Sequence, residues 1–325
     1  MPNPRRNRLK AAFGVIASVA IAGLAVYVLF RTFQRISVAD VVRHLREVPA
    51  HVLLTAALCA AGSFLVLALY EIVVVRYVKK PLGRFKPMAT ALIAFPLGHA
   101  IGQAMLSGGA LRYRMYAPEG LSIREVGAVI LLVAMPYVFG VGWLIDLSLL
   151  LHLQDAARAF KLPVAIVAVF GVFGLAKDVG WLAFVASRKE PITIRGQSIR
   201  LPSLRDALAQ IAFGLVQISL MTTILYLFMP PELNMTWPAF VAIYCISFVA
   251  GQVSNVPAGL GVLEAALFLL LPHVPPGKLV SAVLAYRAVY ELIPLGVALS
   301  LLLIYETTNK AGIIRKRFRT SGSSP

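Results

Sequence analysis

Six stretches of about twenty or more predominantly apolar residues recur along the chain, at 11–30, 51–74, 125–151, 162–187, 206–229 and 280–305. A helix needs roughly 20 such residues to cross a hydrocarbon core of ~30 Å. Inside that core each backbone N–H and C=O must be satisfied within the protein, which leaves helices as the way to cross. The pattern therefore predicts an all-α polytopic membrane protein. We expect about six to eight transmembrane helices plus one or two re-entrant or broken helices, with a possible inverted repeat. Composition agrees: 59% of residues are hydrophobic and only 14% charged, where soluble domains average about 25% charged. A soluble enzyme, a disordered chain and a disulfide scaffold are excluded. Cys59 and Cys245 both lie in apolar stretches and read as buried thiols.

The charge is strongly basic, 31 Lys and Arg against 14 Asp and Glu, and its placement orients the chain. With the N-terminus inside, segments 1–10, 75–86, 112–124, 188–205 and the tail hold 22 of the 31 basic residues, as the positive-inside rule requires. The excess is thus topological, with anionic lipid rather than nucleic acid as the basic surface's partner. The run after Arg5 and Arg6 is too long for a typical cleaved signal and lacks a clear cleavage site, so it reads as an uncleaved anchor. Residues 36–48 read as an amphipathic helix on the outer surface. A short strand pair is expected within 188–205, and disorder after 318.

Two apolar stretches do not fit a simple crossing. Residues 87–107 contain Pro87, Pro96, Gly98, His99, Gly102 and Gln103 before Ser107-Gly108-Gly109. Because 75–86 and 112–124 must both be inside, this stretch is expected to enter and turn back as a re-entrant hairpin; the plainer alternative is a kinked spanning helix. Residues 238–272 are cut by Asn255, Pro257, Gly259 and Gly261. They start and end outside, as either two crossings, one very short, or a second re-entrant hairpin. Broken segments of opposite entry in the two halves are the sequence mark of an inverted-repeat transporter.

Ionisable residues at membrane depth are costly and are functional candidates. The deep set is His99, Asp146, Lys177, Asp178, Glu264, Arg287 and Glu291, with Arg112, Arg114 and Glu119 at the mouth of the first broken segment. Arg287 and Glu291 are four apart on one helix and can pair; a self-satisfied structural pair is the plainer alternative. Lys177 and Asp178 are adjacent and point about 100° apart, so Lys177 is expected to reach Asp146, in a pair that is structural or functional alike. His99 reads as a hydrogen-bonded core histidine. Around Glu264, Pro257, Gly259 and Gly261 break the backbone and free amides, and the following helix start is positive. Glu264 in that first turn can salt-bridge Arg287. In Ser107-Gly108-Gly109-Ala110-Leu111-Arg112-Tyr113-Arg114, glycines expose backbone and arginines offer forks suited to phosphate.

There is no P-loop, no GxSxG, no HExxH and no Asp-rich motif for Mg²⁺, so neither a catalytic constellation nor ATP drive is expected. The Ser107–Arg114 stretch with Tyr116 and Gly120-Leu121-Ser122, then Asn255 to Glu264, then Tyr286-Arg287 with Tyr290 and Pro294, resembles the lysylphosphatidylglycerol synthase transmembrane region. This is the flippase-like domain of the multiple peptide resistance factor, and the resemblance covers roughly residues 10–310. It implies lipid translocation. The family's full-length members carry an aminoacyltransferase domain, which does not follow here, so lysine transfer is not expected. Stand-alone members linked to hopanoid synthesis and archaeal glycolipid assembly mean that the substrate does not carry over with the fold.

The expectation is a bacterial inner-membrane protein with both termini cytoplasmic. Residues 1–10 form a basic N-terminus, 11–308 a flippase-like domain and 309–325 a basic tail. It would move a phospholipid, such as an aminoacylated phosphatidylglycerol or a related anionic lipid, between leaflets. Headgroup contacts are assigned to Arg112, Arg114, Asn255, Gly259, Gly261, Glu264, Arg287 and Glu291. Ser107, Gly108, Gly109, Tyr113, Lys177, Asp178, Pro257 and Tyr290 support them. No cofactor, metal or nucleic acid is expected; a second copy or a separate synthase subunit is a candidate protein partner. The alternative is a membrane-embedded transferase or partner subunit in aminoacyl-lipid, glycolipid or hopanoid synthesis.

Overall fold

A computed structural model describes residues 48–78, 82–101, 104–187, 192–194, 197–199, 202–254 and 256–321. The anchor at 11–30, nearly all of the surface helix at 36–48, and Asn255 lie outside the described residues. The fold is helical, as the apolar runs require. Among the described residues, five helices are long and apolar enough to cross a membrane: α1 (Ala50–Tyr77), α4 (Ile123–Leu151), α6 (Val164–Ser187), α7 (Leu204–Phe228) and a last one formed by α10 (Pro276–Arg287) running on into α11 (Ile293–Ser321). Ser122 and Ser203 start α4 and α7 with reciprocal capping by Glu125 and Asp206, which satisfies orphan amides at the helix starts. The strand pair within 188–205 is present, β1 (Ile192–Ile194) against β2 (Gln197–Ile199), antiparallel.

Both broken segments are helical hairpins. The first is α2 (Phe85–Ile101) and α3 (Ala104–Tyr116). Lys86 at its start is 3.1 Å from Glu119, just past its end, so the chain leaves at the end where it came in. At about 1.5 Å per residue, the 17 residues of α2 rise only ~26 Å. The second is α8 (Trp237–Val253) and α9 (Val262–Leu270). His273 Nε2 lies 3.1 Å from the Leu233 carbonyl, which joins the residues before α8 to those after α9. The nine residues of α9 rise only ~14 Å. The question left open between two crossings and a hairpin is resolved as a hairpin.

The hairpins enter from opposite ends. Lys86 lies 4.8 Å from the Tyr305 ring centroid, and Arg114 meets Glu306, which puts the first hairpin's base beside α11. The second hairpin's base sits with Glu232, Lys278 and the end of α4, where Ser148 Oγ donates to the Pro238 carbonyl at 2.6 Å. Long helix, hairpin, long helix therefore occurs twice in opposite directions: α1, α2–α3, α4 and then α7, α8–α9, α10–α11. This is the arrangement of an inverted repeat. At the centre α4 and α7 approach backbone to backbone: a Cβ on Gly214 would lie 1.9 Å from the Pro136 carbonyl oxygen. Small residues permit such contacts where packing drives helix association.

Between α4 and α6 the chain folds as the short helix α5 (Leu153–Phe160), with Ala156, Ala157 and Ala159 buried. At the other end of the chain, α11 continues to Ser321. Elongating an existing helix adds one bond per residue fixed, so a Lys- and Arg-rich segment after a long apolar helix extends at little cost.

Candidate functional site

Arg287 ends α10 and is only 2% exposed. Its guanidinium is fully engaged. Nε donates to Glu264 Oε1 at 2.9 Å and Nη2 to Glu264 Oε2 at 3.1 Å; Nη1 donates to Glu291 Oε2 and to the Ala258 carbonyl, both at 2.9 Å. His99 Nε2, near the end of α2, is 3.8 Å from Glu291 Oε1. The cluster thus draws on the first hairpin, the tip of the second and the last long helix. It is where the hairpins meet, since α2 touches the Pro257–Gly259 turn.

The second hairpin's tip explains why these residue types are needed. Ala258, Gly259 and Gly261 all have positive φ, at 51°, 60° and 82°. Glycine adopts that conformation freely, and alanine pays for it. A Cβ on Gly259 would sit 3.2 Å from Gly251 Cα, so the hairpin's arms cross there at close range. The left-handed Ala258 carries the carbonyl that accepts from Arg287 Nη1. Pro257 opens the turn.

At the start of α9, where the broken backbone was expected to free amides, Glu264 Oε2 accepts the Gly261 N–H at 2.9 Å. The chain's own carboxylate fills the anion position, because a first-turn acid is stabilised by the helix dipole and by the free amides together. Two carboxylates face one guanidinium.

Arg112 and Arg114, expected to contact the headgroup at the mouth, are each paired with a carboxylate. Arg112 is buried, with Nε and Nη2 each donating to Glu71 at 2.9 Å, and Tyr116 OH donating to the same carboxylate at 3.0 Å. Arg114 Nε donates to Glu306 Oε1 at 2.8 Å and ties α3 to α11. A guanidinium at depth is stable only with a carboxylate beside it. Gly108 and Gly109 lie within α3, where amides bond along the helix, and serve close packing: a Cβ on Gly108 would be 3.0 Å from the Ala94 carbonyl, one on Gly109 2.8 Å from Ile130. Ser107 Oγ donates to the Gly98 carbonyl at 3.1 Å across the hairpin. Tyr113 is exposed.

Lys177 and Asp178, expected to point apart, pair at 2.7 Å, while Asp146 is 3.9 Å from the ammonium. The four-carbon lysine stem folds back across the turn that separates the two Cβ directions. This group stands on α4 and α6, and it is not joined to the Arg287 cluster. Tyr290 bonds away from Arg287, 3.2 Å from Ser63 Oγ and 3.2 Å from Gln217 Nε2. It closes a ring of aromatic contacts that runs Phe64, Phe95, Tyr137, Phe248, Tyr244, Tyr286, Tyr290.

Sequence reasoning missed Glu71, Glu306, Ser63 and Gln217. Glu71 was legible: it is the single acid in the run Ala68-Leu69-Tyr70-Glu71-Ile72-Val73-Val74, and it is completely buried. Ser63 and Gln217 carry no charge and leave no such signal.

Comparison with known proteins follows this geometry. Residues 15–298 match the family described as the lysylphosphatidylglycerol synthase TM region. The uncharacterized protein slr0712 of Synechocystis is 30% identical over 263 residues, covering 80% of each chain. The inner membrane protein YbhN of Escherichia coli is 27% identical over 294 residues, 88% of this chain and 91% of that one. A phosphatidylglycerol lysyltransferase of Staphylococcus haemolyticus is 21% identical over 99% of this chain, which spans only 37% of the lysyltransferase.

Proposed function

The chain belongs to the lysylphosphatidylglycerol synthase transmembrane-region family, and from that premise we propose that this multi-pass membrane protein moves a phospholipid between leaflets, with the headgroup passing the Arg287 cluster. The observation that carries this reading is the buried Arg287 held between Glu264 and Glu291 at the meeting point of two hairpins. Irregular backbone at membrane depth occurs where it is buried in protein or lines a polar path. A pair drawn from separate segments can open when a headgroup competes for either partner. The centre's surplus carboxylate suits an ammonium-bearing headgroup, such as that of an aminoacylated phosphatidylglycerol, docking on Glu264 and Glu291 while its phosphate meets Arg287. Arg112 and Arg114 are each paired with a carboxylate, which supports a part for both in holding α3 in place.

The test is reconstitution into vesicles of phosphatidylethanolamine and phosphatidylglycerol carrying a headgroup-labelled lipid, with quencher added outside. Wild type should expose inner-leaflet label to the quencher, and Arg287→Ala and Glu264→Ala should slow that exposure at least several-fold. Equal rates in all three proteins reject the mechanism. No movement above protein-free vesicles with the wild type rejects the translocase reading itself.

A further inference from the structure

Between α2, α4 and α8 lies a cavity of about 480 Å³. Its mouth is formed by Val138 and Val249, 64% and 38% exposed, on apolar faces that meet lipid if these helices lie in a membrane. Ala134 lines its wall. Its inner end is closed by Phe95, Tyr137 and Phe248, three neighbours in the aromatic ring, with centroids 5.8 and 6.5 Å apart. Phe95 stacks on His99 at 6.2 Å, and His99 is the first hairpin's contact with Glu291. The groove therefore runs from the lipid-facing surface to the aromatic wall of the Arg287 centre. Its polar lining is Arg112, Gln252 and the Tyr137 hydroxyl, which accepts from Gln217 Nε2 at 3.3 Å.

We propose that this groove is a lateral lipid site: one bilayer glycerophospholipid places an acyl chain between α4 and α8, with its phosphate at the Nη1 edge of Arg112 that Glu71 leaves unengaged. Three arguments select this occupant. The mouth faces hydrocarbon, so an acyl chain is what reaches the apolar walls between α4 and α8. Against hydrocarbon the hydrophobic effect offers no gain, so selection must come from the polar lining. That lining offers a guanidinium edge and an amide, which match an anionic phosphate. The inference rests on the translocase reading and supplies its path: the lipid comes in sideways, and Tyr137 with Phe95 separates the groove from the charged centre.

The test uses the full chain in phosphatidylethanolamine–phosphatidylglycerol vesicles containing a phosphatidylglycerol with a photoactivatable diazirine in its acyl chain. Labelled peptides are mapped by mass spectrometry, and translocation is measured on the same preparation. Labelling should concentrate at 130–141 and 248–252. Ala134→Trp, which fills the groove, and Val138→Trp, which obstructs its mouth, should each reduce that labelling to the level of the exposed Phe173 face and slow translocation several-fold. Val138 is exposed, so its variant folds even where the Ala134 variant does not; unfolding temperature checks both. Labelling spread evenly over exposed faces, or unchanged by both variants, overturns the site. Labelling lost with translocation unchanged overturns the path. Concentrated labelling in a wild-type protein that moves no lipid rejects the translocase reading and leaves the groove as a lipid site.

Discussion

Glu71 and Arg112 face each other with two hydrogen bonds of 2.9 Å in the buried space between α1 and α3. Removing one partner of such a pair strands the other charge, at a cost of about 3–5 kcal/mol. Glu71→Gln or Arg112→Gln should each lower the unfolding temperature markedly in detergent. The double variant should lose clearly less than the sum, because neither charge is then stranded. Additive losses would show that the pair is not coupled.

The outcome bears on what a sequence discloses. The first hairpin was readable because Pro96 and the neighbouring glycines coincide with a parity constraint from basic loops; at Pro257 the break was readable, but the choice between two crossings and a hairpin was not. Arg287 with Glu291 was readable from helical spacing, and Glu264 from its place in the first turn of the next helix. Partners far apart in sequence were not readable: nothing in the local pattern joins Arg114 to Glu306, 192 residues on. The glycines at 108 and 109 show the same limit. Exposed amides and close helix packing both call for glycine, and only the neighbouring Ala94 carbonyl and Ile130 decide between them. Lys177 does reach Asp146, at 3.9 Å, but it also folds back to its neighbour Asp178 at 2.7 Å, since Cβ direction constrains a long flexible side chain weakly.

Gly214 has no room for a methyl group. A Cβ would lie 1.9 Å from the Pro136 carbonyl oxygen and 2.9 Å from Gly140 Cα, both backbone atoms that cannot turn aside. Gly214→Ala should force α4 and α7 apart, and overpacking of this kind costs about 1–3 kcal/mol. Gly127→Ala, with open space around its Cβ position, should be neutral or slightly stabilising through helix propensity. Unfolding temperatures of the two variants check the contrast.

Outside the membrane-spanning helices, Glu232 accepts a hydrogen bond from Lys278 in the first turn of α10, which holds that carboxyl below its usual range. A depressed acid stabilises the fold above its unfolded pKa of about 4.3 and ceases to as pH falls through the lower folded value. The wild type should therefore lose slightly more stability than Glu232→Gln on going from about pH 6 to about pH 3.5. The pair is exposed, and salt should diminish the difference. Identical pH profiles for the two proteins would refute the linkage.

Ala258 is the strained residue of the centre, with φ 51° and ψ 18° in a turn whose carbonyl is 2.9 Å from Arg287 Nη1. A non-glycine residue in this region costs roughly 1–2 kcal/mol. Ala258→Gly removes that cost but frees the unfolded chain, and the two effects nearly cancel, so stability should stay within about 1 kcal/mol of wild type. The backbone carbonyl is retained, so translocation should persist. Ala258→Val keeps the same backbone atoms, but a β-branched residue resists the left-handed region much more strongly. The turn would relax toward negative φ and carry its carbonyl away from Arg287. Loss of stability and of translocation in the valine variant, with both kept in the glycine variant, would tie the turn's conformation to Arg287. Equal behaviour of the two variants would mean that the carbonyl contact plays no part.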